Sequence, residues 1–178
     1  MQLLLQDGRF NPGMNNNASL VDACSAGYLD IIATLLNDPR VNPADGGDYA
    51  LEAAVENNQI ESLRLLLSDP RFNPHNLTRE RCTLIGKACS YGYLDIVTTL
   101  LSYGTNGASY GVRITESECS CVPLAFSSGY YAILMILFSC DSLLHNLDND
   151  MMKKILWTDD VPLNIRALLS EELNRRGL

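Results

Sequence analysis

Histidine occurs twice in the 178 residues, tryptophan once, and aromatic residues make up only 7%. Neither His75 nor His145 has a nucleophile or carboxylate placed beside it in the sequence. Both read as solvated loop histidines, and no catalytic residue is expected. No run of apolar residues approaches the ~20 needed to span a bilayer. The start, Met1-Gln2-Leu3-Leu4-Leu5-Gln6-Asp7, lacks the basic flank and apolar length of a signal peptide. Basic charge is scarce: 13 Lys and Arg stand against 21 Asp and Glu, a net charge of -8. That balance argues against nucleic acid and anionic membrane as main partners, because phosphate binding needs a Lys/Arg surface. A basic partner surface is favoured. A phosphate-cradling loop is also missing: Gly8, Gly13, Gly46, Gly47, Gly104, Gly107 and Gly111 fall in turns that fit no such pattern.

The remaining constellations that might carry chemistry are thin. Six cysteines, Cys24, Cys82, Cys89, Cys119, Cys121 and Cys140, form no short secreted scaffold, so a reducing, cytoplasmic setting is expected. Cys119-Ser120-Cys121 has no second ligand pair, and zinc wants four ligands. Asp148-Asn149-Asp150 lacks the glycine and late glutamate of a calcium loop. No metal or cofactor is expected, and the chain reads as a non-enzyme. With 47% hydrophobic and 19% charged residues, the composition is otherwise that of an ordinary globular chain.

What is present is a tandem repeat. Asp38-Pro39-Arg40-Val41-Asn42-Pro43 returns as Asp69-Pro70-Arg71-Phe72-Asn73-Pro74, and Asp7-Gly8-Arg9-Phe10-Asn11-Pro12 precedes both at the same interval. A second anchor runs Ala26-Gly27-Tyr28-Leu29-Asp30-Ile31-Ile32 and returns as Tyr91-Gly92-Tyr93-Leu94-Asp95-Ile96-Val97. Looser copies begin at Asn57-Asn58-Gln59 and Ser128-Gly129-Tyr130. A fixed period near this length points to stacked two-helix units. The spacing predicts first helices over about 18–26, 49–57, 83–91 and 120–128, and second helices over about 29–37, 60–68, 94–102 and 131–139. Leu29, Ile32 and Leu36, then Ile60, Leu63 and Leu67, are the expected apolar stripes. Gly27, Gly92 and Gly129 fall where a helix must stop in a left-handed cap, with Asn58 filling that slot in the second copy. Pro39 and Pro70 forbid continuation of the second helices, and Asp45-Gly46-Gly47-Asp48 signals a tight turn.

The unit resembles the ankyrin repeat. The family's Thr-Pro-Leu-His-x-Ala-Ala-x-x-Gly-His-Leu-Glu-Ile-Val pattern falls on Ala18 to Ile32, and its Val-Asn on Val41-Asn42 and Phe72-Asn73. The resemblance covers about residues 3 to 146. The Thr-Pro-x-His start is missing throughout, its histidine slot holding Val21, Glu52, Gly86 and Pro123. The Asp-Pro-Arg-x-Asn-Pro loop is a short variant, like the arrays of amoebae and giant viruses. The resemblance implies an all-α solenoid: a half-repeat over 1–12, repeats over about 13–43, 44–74, 75–109 and 110–146, and C-terminal capping helices over 147–178. It places Cys24 and Cys89 at a small core position and puts Asn42 and Asn73 where some members are hydroxylated. Extra residues collect in loops at about 75–81 and 104–119.

At the ends, Leu3-Leu4-Leu5-Gln6-Asp7 matches the tail of a second helix, so the chain is expected to start mid-repeat as part of a longer array. Asp148 or Asp150 is expected to cap a helix through Leu156, and Asp160 another that has Pro162 in its first turn. Arg175 and Arg176 suit a last turn. Trp157 is expected to pack at this closure, and Tyr28, Tyr93 and Tyr130 within the scaffold.

The function the resemblance implies is protein binding, as an adaptor or scaffold, through the loop tips and the inner face of the first helices. The inner-face positions are Asp22, Ser25 and Ala26, then Ala53, Glu56 and Asn57, then Lys87, Ser90 and Tyr91, and finally Leu124, Ser127 and Ser128. The loop tips add Asp45, Asp48, Arg79, Arg81, Tyr103 and Tyr110, with Tyr91, Arg79, Arg81 and Tyr110 as the favoured patch. Alternatives are the substrate-recognition part of a ligase or pathogen-effector assembly acting in a host cytoplasm, an enzyme built on the 104–121 insert, or a structural array that self-associates through an uncapped N-terminal end.

Overall fold

The computed structural model describes residues 5, 7, 11–44, 49–72, 78–103 and 120–178, with the side chains of 78–82 and 141–142 outside that description. Among the described residues there are eleven helices and no strand. None is long and apolar enough to cross a membrane. The chain divides into two compact units, Met1–Leu84 and Ile85–Leu178.

The first unit holds α1 (Met14–Ala26), α2 (Leu29–Leu36), α3 (Tyr49–Glu56) and α4 (Ile60–Leu67), and α5 (Thr78–Tyr91) begins in it. α1 packs on α3, α2 packs on α4, and each consecutive pair also packs together. The second unit holds the rest of α5, then α6 (Leu94–Ser102), α7 (Cys121–Ser127), α8 (Tyr131–Phe138), α9 (Asp141–Asn146), α10 (Asn149–Leu156) and α11 (Leu163–Arg175). Here α8 packs on α6, α7 and α9, and α10 on α11.

The same cap closes each of four first helices. Gly27, Asn58, Gly92 and Gly129 have φ of 74°, 54°, 78° and 72°. The next residue's amide then donates back to an alanine carbonyl: Tyr28 to Ala23, Gln59 to Ala54, Tyr93 to Ala88, Tyr130 to Ala125, at 2.8–3.0 Å. This backward bond satisfies a carbonyl the helix leaves unpaired. All four alanines are buried. The second helices have no side-chain N-cap. In three of them an acid in the first turn, Asp30, Glu61 or Asp95, meets the helix dipole instead.

Fully buried Leu20, Ile32, Leu35, Leu51, Leu63 and Leu66 form the core of the first unit. Each stabilises by about 1.5–3 kcal/mol through the apolar surface it removes from water. The buried stripe of α2 is therefore Ile32 and Leu35, rotated from the expected one. Leu29, at the first position of the helix, is exposed and Leu36 half-buried. The thiols of Cys24, Cys89, Cys121 and Cys140 are buried, the first two as small core groups as expected. Burial pushes the Cys24 thiol up to about 12.

Five expectations need correction. α5 starts at Thr78, so Arg79 and Arg81 stand in its first turn and not at a loop tip. His145, expected as a solvated loop histidine, lies in α9 (Asp141–Asn146). Asp148 does cap α10, accepting from the amides of Asp150 and Met151. In α11, by contrast, Pro162 sits at the cap position itself and Asp160 makes no cap bond, because the extended Pro162 backbone ends the turn one residue later. Trp157, at the C-cap of α10, is 84% exposed and not packed at the closure, because the helix ends there and the side chain lies past its buried face. Tyr28 and Tyr130 are exposed too, while Tyr93 is half-buried.

Candidate functional site

Helical spacing builds one open groove in the first unit. In α3, Tyr49, Glu52, Ala53 and Glu56 recur at intervals of three and four and so share a face. In α1, Ala18, Val21 and Asp22 do the same. The packing of α1 on α3 sets these faces side by side, and with Asn15 and Asn16 they line a groove of about 420 Å³. Its floor is small and apolar (Ala18, Val21, Ala53), and its polar groups are Asp22, Glu52 and Glu56 with the exposed Tyr49 ring. No Lys or Arg lines it among the described residues.

The head of α1 shapes one end of the groove. Asn15, Asn16 and Asn17 have φ of 54°, 55° and 60°, so the right-handed helix starts at Ala18. Asparagine tolerates this conformation better than any other side-chain-bearing residue, at about 1 kcal/mol or more each. Buried Asn17 holds the run in place by donating from Nδ2 to the Asn42 carbonyl at 2.7 Å.

Two arginines of the first unit reach carbonyls far back in the chain. Arg71 donates from Nη1 to the Val41 carbonyl at 2.7 Å and from Nη2 to the Leu36 carbonyl at 2.6 Å. Arg40 donates from Nη2 to the Leu5 carbonyl at 2.8 Å, the same 35 residues back. Each guanidinium is gripped two-pronged by the aspartate two residues earlier, Asp69 or Asp38, at 2.6–2.9 Å. The Arg40 side-chain and backbone hydrogen bonds hold the Asp38 carboxyl down at about 2, and Arg71 likewise lowers Asp69.

The second unit carries a different charged cluster. Buried Glu172, 4% exposed, accepts from Arg176 Nε at 3.1 Å and Arg175 Nη1 at 2.6 Å, and lies 3.2 Å from His145 Nδ1. Burial pushes the Glu172 carboxyl up, but the bond from Arg176 and the charges of His145 and Arg175 outweigh it, and the net shift is down. Arg176 also donates to the carbonyls of Leu144, His145 and Leu147 and to Asn149 Oδ1. His145 thus stands in the last turn of α9 with a carboxylate partner, not in a solvated loop.

Of the residues expected at a binding surface, Asp22, Ala53 and Glu56 line the groove, while Tyr49, Glu52 and Val21 were missed. Counting back four and seven from Glu56 would have found Glu52 and Tyr49. Lys87 and Ser90 are half-buried. Tyr91 is 47% exposed, with its ring centroid 5.4 Å from that of Tyr93. Leu124 and Tyr103 are half-buried, and Ser127 and Ser128 exposed. Asp45, Asp48 and Tyr110, like His75, Asn73 and Cys119, lie outside the described residues, as do the side chains of Arg79, Arg81 and Cys82. No group of three or more potential metal ligands is clustered among the described residues. No protein-family model, curated protein or solved structure matches the chain.

Proposed function

We propose that this chain is an ankyrin-type repeat array that binds another protein, as an adaptor or scaffold, across the exposed face of its first helices. The observation that carries the reading is the groove over α1 and α3. Two consecutive first helices present one continuous concave surface there, on the face named from the repeat register. The repeated left-handed caps over buried alanines support the repeat assignment. So do the two arginines that each reach a carbonyl 35 residues back. A surface already held by backbone caps and core packing binds with little ordering cost.

The test is selection of peptides from a random display library on the purified chain. Enriched peptides are then remeasured against the charge-reversed Asp22→Arg/Glu56→Arg protein. Both positions are exposed, so helical circular dichroism should be unchanged. Loss of binding supports the face; enrichment and affinity that survive the reversal sink it.

A further inference from the structure

We infer that copies of this chain join head to tail, with Tyr28 of one copy seated on the Gly129 turn of another. This contact is separate from the α1–α3 groove and does not depend on it. The chain already makes it twice within itself. In each unit, the residue after one left-handed cap covers the glycine cap of the repeat before it: Gln59 lies over Gly27, and the Tyr130 ring over Gly92. Glycine leaves the room for that cover, since a Cβ on Gly92 would stand 2.6 Å from the ring. One cover and one seat stay open. Tyr28, after the first cap, is 59% exposed, whereas Gln59 is half-buried and Tyr130 is 37% exposed. Leu29 beside it is exposed, while Ile60, Leu94 and Tyr131 at the same place in later repeats are half-buried. Gly129 is exposed, while the occupied seats Gly27 and Gly92 are half-buried. Among the described residues nothing lies within 4 Å of a Cβ built on Gly129.

That match selects the occupant. A tyrosine ring fits the Gly92 seat, and the Gly129 seat has the same shape: its φ is 72° against 78°. In both, the next amide donates back to an alanine carbonyl, Tyr130 to Ala125 and Tyr93 to Ala88. A hollow of about 480 Å³, lined by Gly27, Tyr28, Leu29, Asp30 and Ile31, leaves room beside the Tyr28 ring for an incoming turn. Cover and seat are different surfaces, so the contact is heterologous and each joined pair still offers one of each. A ring on a turn is a small interface, and its dissociation constant should be on the order of 0.1–1 mM.

The experiment is sedimentation velocity on the full chain up to about 1 mM, with Tyr28→Ser and Gly129→Gln as variants. Both substitutions are at exposed positions and leave the net charge of -8 unchanged. The unmodified chain should grow past the dimer as concentration rises. Added salt should strengthen the association, because it screens the repulsion between acidic copies. Each variant alone should weaken it at least roughly tenfold. An equimolar mixture of the two holds one intact cover and one intact seat, so it should recover association and stop at a dimer. Circular dichroism checks each variant, and Gly129→Asn, the residue that fills this cap at Asn58, replaces the glutamine variant if that one unfolds. A chain that stays monomeric to about 1 mM overturns the inference. So does an unmodified chain that stops at two, an association that survives both variants, or a mixture of folded variants that restores nothing.

Discussion

The two units solve the same structural problems with different materials. In both, a left-handed cap reverses the chain after a first helix, and a side chain from the next copy settles over it. On Gly27 that side chain is Gln59, a flexible amide whose Nε2 donates to the Ser25 carbonyl at 3.4 Å. On Gly92 it is the ring of Tyr130. Both units use an arginine, held by a carboxylate, to satisfy carbonyls at helix ends. The first does so twice, in surface loops, with Arg40 and Arg71. Among the described residues the second does it once, at the buried Glu172. The first unit is built from adaptable, distributed contacts and the second from stiff, concentrated ones. A repeat device therefore survives a change of residues as long as each unpaired backbone group finds a partner.

The largest effect should come from forcing a side chain under the ring. A Cβ on Gly92 would lie 2.6 Å from Tyr130, at a φ of 78°. Gly92→Ala should cost about 3 kcal/mol, left-handed strain plus overpacking, in urea unfolding. Gly27→Ala, at a φ of 74°, meets only the end of Gln59, which can swing aside. It should cost about 1 kcal/mol, the strain alone. Equal losses would erase the contrast between stiff and adaptable cover.

Next in size is the carboxylate. Glu172→Ala removes the carboxylate that accepts from Arg176 Nε and Arg175 Nη1, while Arg176 keeps its bonds to carbonyls and to Asn149. The Glu172 partners Arg175 and Arg176 stay partly exposed, so the loss should be about 2 kcal/mol, below the 3–5 of a deep ion pair. Arg71→Ala removes two bonds to carbonyls at a more exposed loop and should cost about 1 kcal/mol. A larger loss from Arg71 would show that the distributed clamps carry the fold.

The parts of this structure that were legible in the sequence are those where backbone geometry restricts the residue. Only glycine and asparagine take a left-handed cap without much strain, so Gly27, Asn58, Gly92 and Gly129 could be located from their spacing. The helices between them followed. Pro39 and Pro70 marked the ends of α2 and α4 but hid the role of the arginine beside each. What a guanidinium reaches depends on which carbonyl the fold brings near, here one 35 residues away. The groove was half legible. The repeat register gave Asp22, Ala53 and Glu56, but its edges are set by how α1 sits on α3, and that brings in Tyr49 and Glu52. Trp157 was misplaced because periodicity says nothing about whether a further element covers a helix end.

The acid limb of stability should also separate the clamps. The Asp38 carboxyl, held down to about 2 by Arg40, and those of Asp69 and Glu172 all titrate below their ordinary range. In the unfolded chain such groups titrate near roughly 4. Between the two values the unfolded chain binds more protons, so stability rises with pH there. The contribution of Asp38 is fully present above its unfolded value and is lost as pH falls from roughly 4 through about 2. Asp38→Asn/Asp69→Asn should flatten the fall in melting temperature over that range. A slope unchanged by the double variant would place the acid sensitivity of the fold at Glu172 alone.

The smallest effect distinguishes the two cores. In the repeat register Ser62 of α4 stands where α6 has Ile96 and α8 has Ile133, all three buried. The isoleucines fill their sites with apolar surface. Ser62 Oγ is buried with no hydrogen-bond partner among the described residues. An unsatisfied buried hydroxyl keeps its full desolvation penalty, whereas an apolar replacement of similar shape carries none. Ser62→Ala should therefore raise the unfolding free energy, by about 0.5 kcal/mol once the small loss of packing is subtracted. Most core substitutions go the other way. A destabilisation would mean that the hydroxyl finds a partner in solution, and the first unit's core would then be as well matched as the second's.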